Sequence, residues 1–479
     1  MSVGLSIRGK VSPAVAASIV AVVVEAAKDH FGIFGGGELL GTQPGEKADA
    51  SELVVSLHPG AEPANITLYK SMITIVIETG TMGAGYHAAV VDWLDEVGRR
   101  GVSWRPDDDE FFDCTSYRTN RDFDALALGM LIHAQNELIA IAEKAETGTA
   151  AASDERFSLW MPIEPQYGHG ADDLLNTPMG PRSREWVQLA ASDTGTEGLA
   201  GSAGGPAISG ELFIWQHRGI DAVVMRNTAV ALMWLDVPWC EPTTDATREM
   251  YGNICTLLAK AHELDPKLDL PWYEWNEITD LSEEADPLPP SLRARARPRP
   301  ARPIGYRRGD ITLRPLPQIV MQVPGSFVHD PSDEGYLLVG EGLMIRAAAW
   351  MLDENLTKDE ALEFVQDMVG EEEDRHEVKL LETWGKDGVV ASAYTCLTSY
   401  GKDEDEDDRA ADERDAEDAD DDDGDGDGDG EPDMYRIVQC SFIRRKRCAR
   451  LTLMMDVDQD PAWAMKVCKS LRMFDDGTR

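Results

Sequence analysis

Residues 435–471 have the sequence YRIVQCSFIRRKRCARLTLMMDVDQDPAWAMKVCKSL, the clearest structural pattern in the chain. Apolar side chains alternate from Leu451 to Val457, which predicts a β-strand with one buried face. Beyond it, Asp460-Pro461 begins a run whose apolar residues recur at helical spacing. The predicted elements are a strand at 435–442, a turn at Arg444-Arg445-Lys446-Arg447, a strand at 450–457 and a final helix.

Upstream, residues 306–397 predict more strands and one helix. Thr357-Lys358-Asp359-Glu360 is a capping box, in which Thr and Glu each bond the other's backbone amide and so begin a helix. The predicted strands are 310–313, 319–323, one or two within 336–350, 377–383 and 389–397. The order from 306 is therefore β-β-β-α-β-β-β-β-α.

This order resembles the PsbP-like α/β/α sandwich, and most closely the small bacterial proteins of the DcrB and Eag-chaperone type. The resemblance covers residues 306–479. It implies a binding role, because Eag-type members chaperone hydrophobic segments of secreted effectors and the fold class has no conserved catalytic set. The chain departs from the plain version of the fold by carrying an acidic insertion between two strands.

The insertion, 402–433, holds 20 of the acidic residues and 3 basic ones. It has no large apolar side chain to bury, so it is predicted to be disordered. Loop-closure scaling puts the cost of such an insertion at only about 2 kcal/mol, so the sheet can form around it. The whole chain has a formal charge of −42. This charge argues against an extensive nucleic-acid-binding surface, which needs clustered Lys and Arg.

A Pro/Arg-rich stretch predicts a linker at 283–304, because Pro at this density blocks helices and sheet ladders. One hypothesis is that the acidic insertion folds onto this linker or onto Arg444–Arg447 and shields a basic surface. The alternative is that both segments are solvated and independent.

The region before the linker is predicted to be mixed α/β, with domains at 1–150 and 155–282 or one domain spanning both. Expected strands are 3–8, 53–57, 66–69, 73–78, 157–161, 212–216 and 222–226; expected helices are 86–97, 123–146 and 245–264. Ser12-Pro13 is expected to start a buried helix; the alternative is that Arg8 and Lys10 with the apolar run 11–24 form a secretory signal. The fold class of the whole chain is thus α+β.

Seven cysteines without a Cys-x-x-Cys pair predict reduced, mostly buried thiols in a cytoplasmic protein. No metal site or cofactor is predicted. No apolar run reaches the ~18–20 residues needed to span a bilayer, so no membrane span is expected.

One constellation suggests a ligand site. The predicted strand 73–78 leads into Thr79-Gly80-Thr81-Met82-Gly83-Ala84-Gly85, and a helix follows at Tyr86-His87. Free amides at a helix start favour an anion, so Gly83, Gly85, Tyr86 and His87 form the candidate anion-binding turn. Asp113, Tyr117 and Asp122 are expected to supply polar partners if their loop folds back. The alternative is a turn that needs Gly for its shape and a His that bonds locally.

Other motifs are weaker. Glu274 and Glu277 beside three aromatic residues suggest either a carbohydrate or acid–base site or the edge of a core. Dinucleotide, nucleophile-elbow, zincin and EF-hand patterns each fail on spacing or context.

Three functions are compatible with the sequence. The first is a non-enzymatic cytoplasmic binding protein, an adaptor or chaperone for a secreted effector or another protein. The second is an immunity-type or regulatory protein that neutralises a basic toxin by electrostatic attraction. The third is an enzyme that uses the Gly80–His87 turn. A protein partner is expected, without nucleic acid or a membrane span.

Overall fold

The computed structural model describes residues 3–44, 50–108, 110–147, 174–191, 208, 210–282, 288–296, 303–316, 319–330, 336–340, 342–367, 376–386, 388–399 and 434–473. The chain divides into two compact units, Met1–Gly309 (unit 1) and Asp310–Arg479 (unit 2). Both units combine antiparallel sheets with helices, so the predicted α+β class is confirmed. The acidic insertion, the expected strand 157–161 and the linker residues 283–287 and 297–302 lie outside the described residues.

Unit 1 is built on a six-stranded antiparallel sheet. Its strands are β1 (Gly4–Val11), β2 (Glu38–Pro44), β3 (Ala50–Ser56), β4 (Ala64–Tyr69), β5 (Met72–Glu78) and β6 (Val102–Trp104), in the spatial order β2-β3-β4-β5-β1-β6. Alternate side chains such as Leu5, Ile7, Ile75 and Ile77 are buried on one face, as strand periodicity requires. The predicted strands at 53–57, 66–69 and 73–78 are confirmed.

The helices of unit 1 include the three predicted from their periodicity. They are α1 (Ile19–Phe31), α2 (Ala84–Arg99), α3 (Tyr117–Asn120), α4 (Phe123–Thr147), α5 (Arg184–Ala191), α6 (Ala222–Leu235), α7 (Asp245–Leu264), α8 (Trp272–Leu281) and α9 (Pro290–Arg293). A short hairpin, β7 (Leu174–Thr177) with β8 (Gly180–Ser183), precedes α5.

The start of the first helix differs from the expectation. Ser12 still donates its backbone N–H to the Gly101 carbonyl, at 2.9 Å, so the chain has not turned into a helix there. A 3-10 turn, Ala16–Ser18, comes first, and α1 begins only at Ile19.

Two predicted strands are wrong. Residues 222–226 form the first turn of α6, whose N-cap Asp221 accepts the Val224 amide at 2.9 Å. Residues 212–216 join no sheet and instead cross the start of α2. Both runs are short and mainly apolar, and for such runs periodicity does not separate strand from helix.

Unit 2 holds two antiparallel sheets. One has the order β18-β10-β9 and the other β11-β12-β13-β17-β16-β15-β14. Their strands are β9 (Asp310–Leu316), β10 (Ile319–Pro324), β11 (Val328–Asp330), β12 (Tyr336–Gly340), β13 (Leu343–Met351), β14 (His376–Lys386), β15 (Val389–Ser399), β16 (Met434–Arg444), β17 (Arg447–Asp456) and β18 (Arg472–Met473). All predicted strands of this region are present; β11 and β18, of 3 and 2 residues, were not predicted.

The large sheet of unit 2 has a helix on each face. Helix α10 (Lys358–Asp367) packs on Ile443 of β16, whereas α11 (Ala462–Ser470) is bonded to Cys440 of the same strand. Residues three apart in a strand point to opposite faces, so the layers are α/β/α. The capping box of α10 is confirmed, since the Thr357 amide donates to Glu360 Oε2 at 2.8 Å.

The thiols differ from the expectation. Cys440 and Cys468 form a disulfide that joins β16 to α11, so the prediction that all thiols are reduced is wrong for this pair. Among the free cysteines, Cys114 is exposed, while Cys396 and Cys448 are buried. Disulfides are more usual in oxidising compartments than in cytoplasm.

Judged by length and composition alone, one described helix could cross a membrane. The span is Phe123–Ala142 in α4, 28 % of which is buried. The sequence analysis expected no span of this length. Core helices pass the same test, and Leu126, Met130 and Leu138 of α4 lie in the core of unit 1.

Candidate functional site

The predicted turn joins β5 to α2 and is covered by the segment 213–217. Gly83 has φ 104°, in the left-handed region that favours glycine. At Gly85 a Cβ would collide with the carbonyl oxygen of His217 and the Trp215 ring. Glycine at Gly85 thus lets this segment lie directly against the start of the helix.

The amides at the start of α2 are bonded within the protein. Gly85 and Tyr86 donate to the Trp215 carbonyl at 3.0 and 3.3 Å, and Ala84 donates to Gln216 Oε1 at 3.2 Å. In return, the Trp215 amide donates to the Met82 carbonyl at 2.7 Å. The expectation that these amides are free is therefore wrong. The first amides of a helix have no acceptor within the helix, and here Trp215 and Gln216 provide the acceptors. Anion binding at Gly83, Gly85, Tyr86 and His87 stays a prediction, and it would require residues 213–217 to move.

His87 is the centre of a buried polar network. Thr79 Oγ1 lies 2.8 Å from His87 Nδ1, at the end of β5. On the other side of the ring, Nε2 lies 3.1 Å from Thr115 Oγ1 and 3.3 Å from Asp113 Oδ1. The loop after β6 therefore folds back onto α2, and Asp113 is the polar partner that the sequence suggested.

The Asp113 carboxylate is held by several donors. Oδ2 accepts the Arg118 amide at 2.7 Å, and Oδ1 accepts the Thr115 amide at 2.9 Å and its hydroxyl at 2.7 Å. Burial by itself raises the pKa of Asp113, but the hydrogen bond and charge of His87, with the amide and hydroxyl donors, hold that pKa well below its usual range. Because an ionised carboxylate only accepts, Asp113 assigns His87 Nε2 as a donor.

Hydroxyl, imidazole and carboxylate stand in the order used for nucleophilic catalysis. Thr79 and His87 have no exposed surface, however, and Asp113 is only 4 % exposed. A substrate therefore has no route to these groups in this conformation. The network instead joins β5, α2 and the loop after β6.

The remaining predicted partners have other roles. The Tyr117 ring lies 6.2 Å from the His87 ring in an edge-on arrangement. Asp122 caps α4, accepting the Ala125 amide at 3.0 Å. The sequence analysis missed Thr79 and Thr115; hydroxyl side chains flanking a glycine turn and a candidate carboxylate were the available signal.

A second buried histidine lies behind the turn, among aromatic rings. His58 Nδ1 accepts the Gly60 amide at 3.1 Å, so Nε2 carries the proton and donates to Thr228 Oγ1 at 3.1 Å. The Phe34 ring is 4.7 Å from the His58 ring. Burial lowers the pKa of His58 to about 3, so the ring is neutral at ordinary pH.

Glu274 and Glu277 bind the last segment of unit 1, through Ile304 and Arg308. Glu274 is buried and accepts the Ile304 amide at 3.0 Å, while Glu277 pairs with Arg308 through two bonds of 3.0 and 2.8 Å. Burial raises the pKa of Glu274, and the Ile304 amide offsets part of that rise. These contacts match the core-edge interpretation of the two carboxylates.

The described residues contain no group of three or more metal-ligating side chains. No family model matches the chain, and no curated protein matches it. Among solved structures, it is similar to cyanobacterial PsbP (CyanoP) from Synechocystis sp. PCC 6803, at 10 % identity over 33 % of this chain and 87 % of that one, with a TM-score of 0.21. It is also similar to a protein from Bacteroides thetaiotaomicron, at 11 % identity over 36 % of this chain and 50 % of that one, with a TM-score of 0.19. Similarity at this level assigns the chain to no family.

Proposed function

We propose that this is a non-enzymatic binding protein, an adaptor or chaperone that holds an extended segment of another protein along strand β14. The observation that carries the proposal is the edge position of this strand together with its exposed apolar side chains. The proposed location is the cytoplasm, and neither nucleic acid nor a membrane span has a part in it.

Strand β14 offers main-chain bonding to a partner. It is 11 residues long and ends the seven-stranded sheet, so within the described chain it pairs only with β15. Its pairing is regular from Glu382 to Lys386. An edge of this kind has unpaired N–H and C=O groups, and an added strand can bond to them.

The side chains of β14 suggest the chemistry of the partner. Val378 is 46 % exposed and Leu380 51 %. Leu380 pairs with Tyr394, which belongs to a buried cluster with Cys396 and Ile437. A segment with apolar residues at alternate positions would extend this cluster beyond the sheet edge while its backbone pairs with β14.

Photo-crosslinking in the native cells tests this surface. A benzophenone amino acid replaces Leu380 in one protein and Met351 in a matched control, because Met351 is also apolar and 50 % exposed in unit 2. We expect a specific protein adduct from position 380 but not from 351, with the crosslink in an alternating apolar segment of the partner.

Binding to the identified partner provides the second test. We expect V378K together with L380K to weaken the affinity at least tenfold, roughly 1.4 kcal/mol, and M351K to leave it unchanged. Equal adducts at both positions, or unchanged affinity in the double variant, would contradict the proposal. A basic toxin as the partner would favour the immunity-type function over a chaperone.

An enzyme is the second candidate, favoured by the Thr79–His87–Asp113 geometry alone. Incubation with a fluorophosphonate probe distinguishes it, because an activated Thr79 hydroxyl would be labelled and H87Q would lose the label. The binding proposal expects no labelling of Thr79.

A further inference from the structure

The last stretch of β14, Glu382–Lys386, forms an open and regular sheet edge. It pairs with β15 without interruption, whereas the register shifts twice between His376 and Glu382. Strand β14 ends the seven-stranded sheet, so no other described strand meets its outer side. The outer N–H and C=O groups of this stretch can therefore bond to a further strand.

A second copy of the chain can supply that strand through a twofold axis. Directly opposite residues of two antiparallel strands lie on the same face of the sheet, so two identical strands pair about one residue that lies opposite itself. A centre at Trp384 places Glu382 opposite the second copy's Lys386, and Lys386 opposite its Glu382. A centre at Thr383 or Gly385 would instead place a charged residue opposite Trp384.

The register centred on Trp384 is self-complementary. A Glu position faces a Lys position on both sides of the axis, and opposite charges directly across an antiparallel pair are favourable. At the axis itself two tryptophans face each other, and cross-strand aromatic pairs are also favourable. The Trp384 ring already lies edge-on to Phe442 at 6.0 Å, so a contact within its own sheet restrains it.

We infer that the chain forms a twofold homodimer in which Glu382–Lys386 of the two copies pair antiparallel about Trp384 and join the two large sheets. A contact of this length buries less than the roughly 1,200–2,000 Å² of a stable interface, so the dimer is reversible. It uses main-chain groups that the proposed function offers to a partner. Its regulatory meaning rests on that function, because the partner must then displace the second copy.

Sedimentation velocity of the full chain, purified without a partner, tests the inference. At about 0.1 mM chain we expect an average mass above the 52.6 kDa of the monomer, which falls on dilution. E382K sets Lys positions opposite each other on both sides of the axis, so it should raise the dissociation constant at least about tenfold. E382K/K386E should restore the native value, because both pairs are rebuilt with their charges exchanged.

A control separates this effect from the other contact of Glu382. Its Oε2 lies 2.7 Å from Lys469 Nζ of α11, in an exposed ion pair that E382K also breaks. Exposed pairs of this kind contribute little to stability. K469A removes the same pair without changing the strand register, so it should leave the dissociation constant unchanged.

A crosslink that depends on the register provides a second arm. In W384C the two introduced thiols lie opposite each other at the axis, within the range of a disulfide, whereas in E382C they lie four residues apart along the strands. Mild oxidation should therefore link the two positions 384, as identified by mass spectrometry, and not the two positions 382.

Three outcomes would overturn the inference: a monomer at about 0.1 mM, a dimer unaffected by E382K, or equal crosslinking at positions 382 and 384. None of them decides the proposed function, which is tested separately by the adduct from position 380 to another protein. Conversely, a dimer with the expected responses would stand even if no such adduct were found.

Discussion

Single residues hold the centre of unit 1 together. At Gly85 the absence of a side chain lets the Trp215 carbonyl accept the first amides of α2. At His87 a carboxylate and two hydroxyls surround one buried ring. Since each contact joins segments distant in sequence, small changes at these positions affect the whole unit.

Replacement of Gly85 by Ala should destabilise the protein by about 3 kcal/mol or more, because the new Cβ meets backbone that cannot move freely. Urea unfolding measures the change. The control is Gly252→Ala, in the interior of α7, where a Cβ meets nothing within 4 Å. There we expect stabilisation of about 0.5–1 kcal/mol from helix propensity. Equal stability of the two variants would contradict the close approach at Gly85.

His58 should make stability fall in mild acid. Its pKa is about 3 in the folded protein against 6.5 for the free side chain, so the unfolded chain takes up the proton first as pH falls. The stabilisation is complete above pH 6.5 and is lost progressively towards pH 3. By pH 5 the loss from this group is about 2 kcal/mol.

Unfolding free energies at pH 7.5 and 5.0 measure this effect. In His58→Gln the decrease between these values should be about 2 kcal/mol smaller than in the native protein. Between pH 7.5 and 9 the two proteins should show the same slope, since His58 is neutral there in both states. An unchanged decrease at pH 5.0 would argue against a buried neutral imidazole.

At the scale of elements, caps and covalent links decide where helices lie. The capping box starts α10 next to Thr357, as its sequence predicts, whereas α6 starts at an Asp221 cap within an apolar run that resembles a strand. Helix α11 has an additional constraint, because Cys468 joins it to β16.

Reduction of the Cys440–Cys468 bond should lower the stability of unit 2. The bond closes a loop with a sequence separation of 28, for which chain entropy gives about 3–4 kcal/mol. Thermal unfolding with and without dithiothreitol measures the loss, and the C440A/C468A double variant should show no response to the reductant. Thiol labelling that finds both cysteines free in protein from its native cells would contradict the disulfide; a disulfide found there would contradict a reducing cytoplasm as the location.

At the scale of the whole molecule, the division between the units falls at Gly309 and Asp310. Residues 303–308, partly in the expected linker, belong to unit 1. The Tyr306 hydroxyl donates to the Thr177 carbonyl at 3.0 Å, and Arg308 pairs with Glu277 and lies 3.6 Å from the Trp239 ring. The boundary is therefore set by these contacts and not by the Pro/Arg composition.

A fragment ending at Gly309 should be more stable than one ending at Arg302. The shorter fragment loses the buried Tyr306 ring and leaves Glu277 without Arg308, which together should cost at least about 3 kcal/mol. Urea unfolding of the two fragments measures the difference, with the full chain as reference. Equal midpoints would show that residues 303–309 contribute nothing to unit 1.

Several elements could be predicted because their patterns involve only neighbouring residues. Alternation in β17, helical spacing in α2 and α7 and the capping box of α10 each depend on neighbours within one or two turns, so the sequence is sufficient to predict them. It also named Asp113 as one of three polar residues that would reach the turn if their loop folded back, but the fold-back itself had no local signal.

Contacts between groups far apart in the chain could not be predicted and are known only from the fold. An apolar pattern records that residues 212–216 are buried, but not that they cross the start of α2 and occupy its amides. Likewise, no local signal places Thr115 beside His87, 28 residues earlier, or Cys468 beside Cys440. Burial is a property of each residue, whereas the choice of partner depends on the free energy of the entire chain.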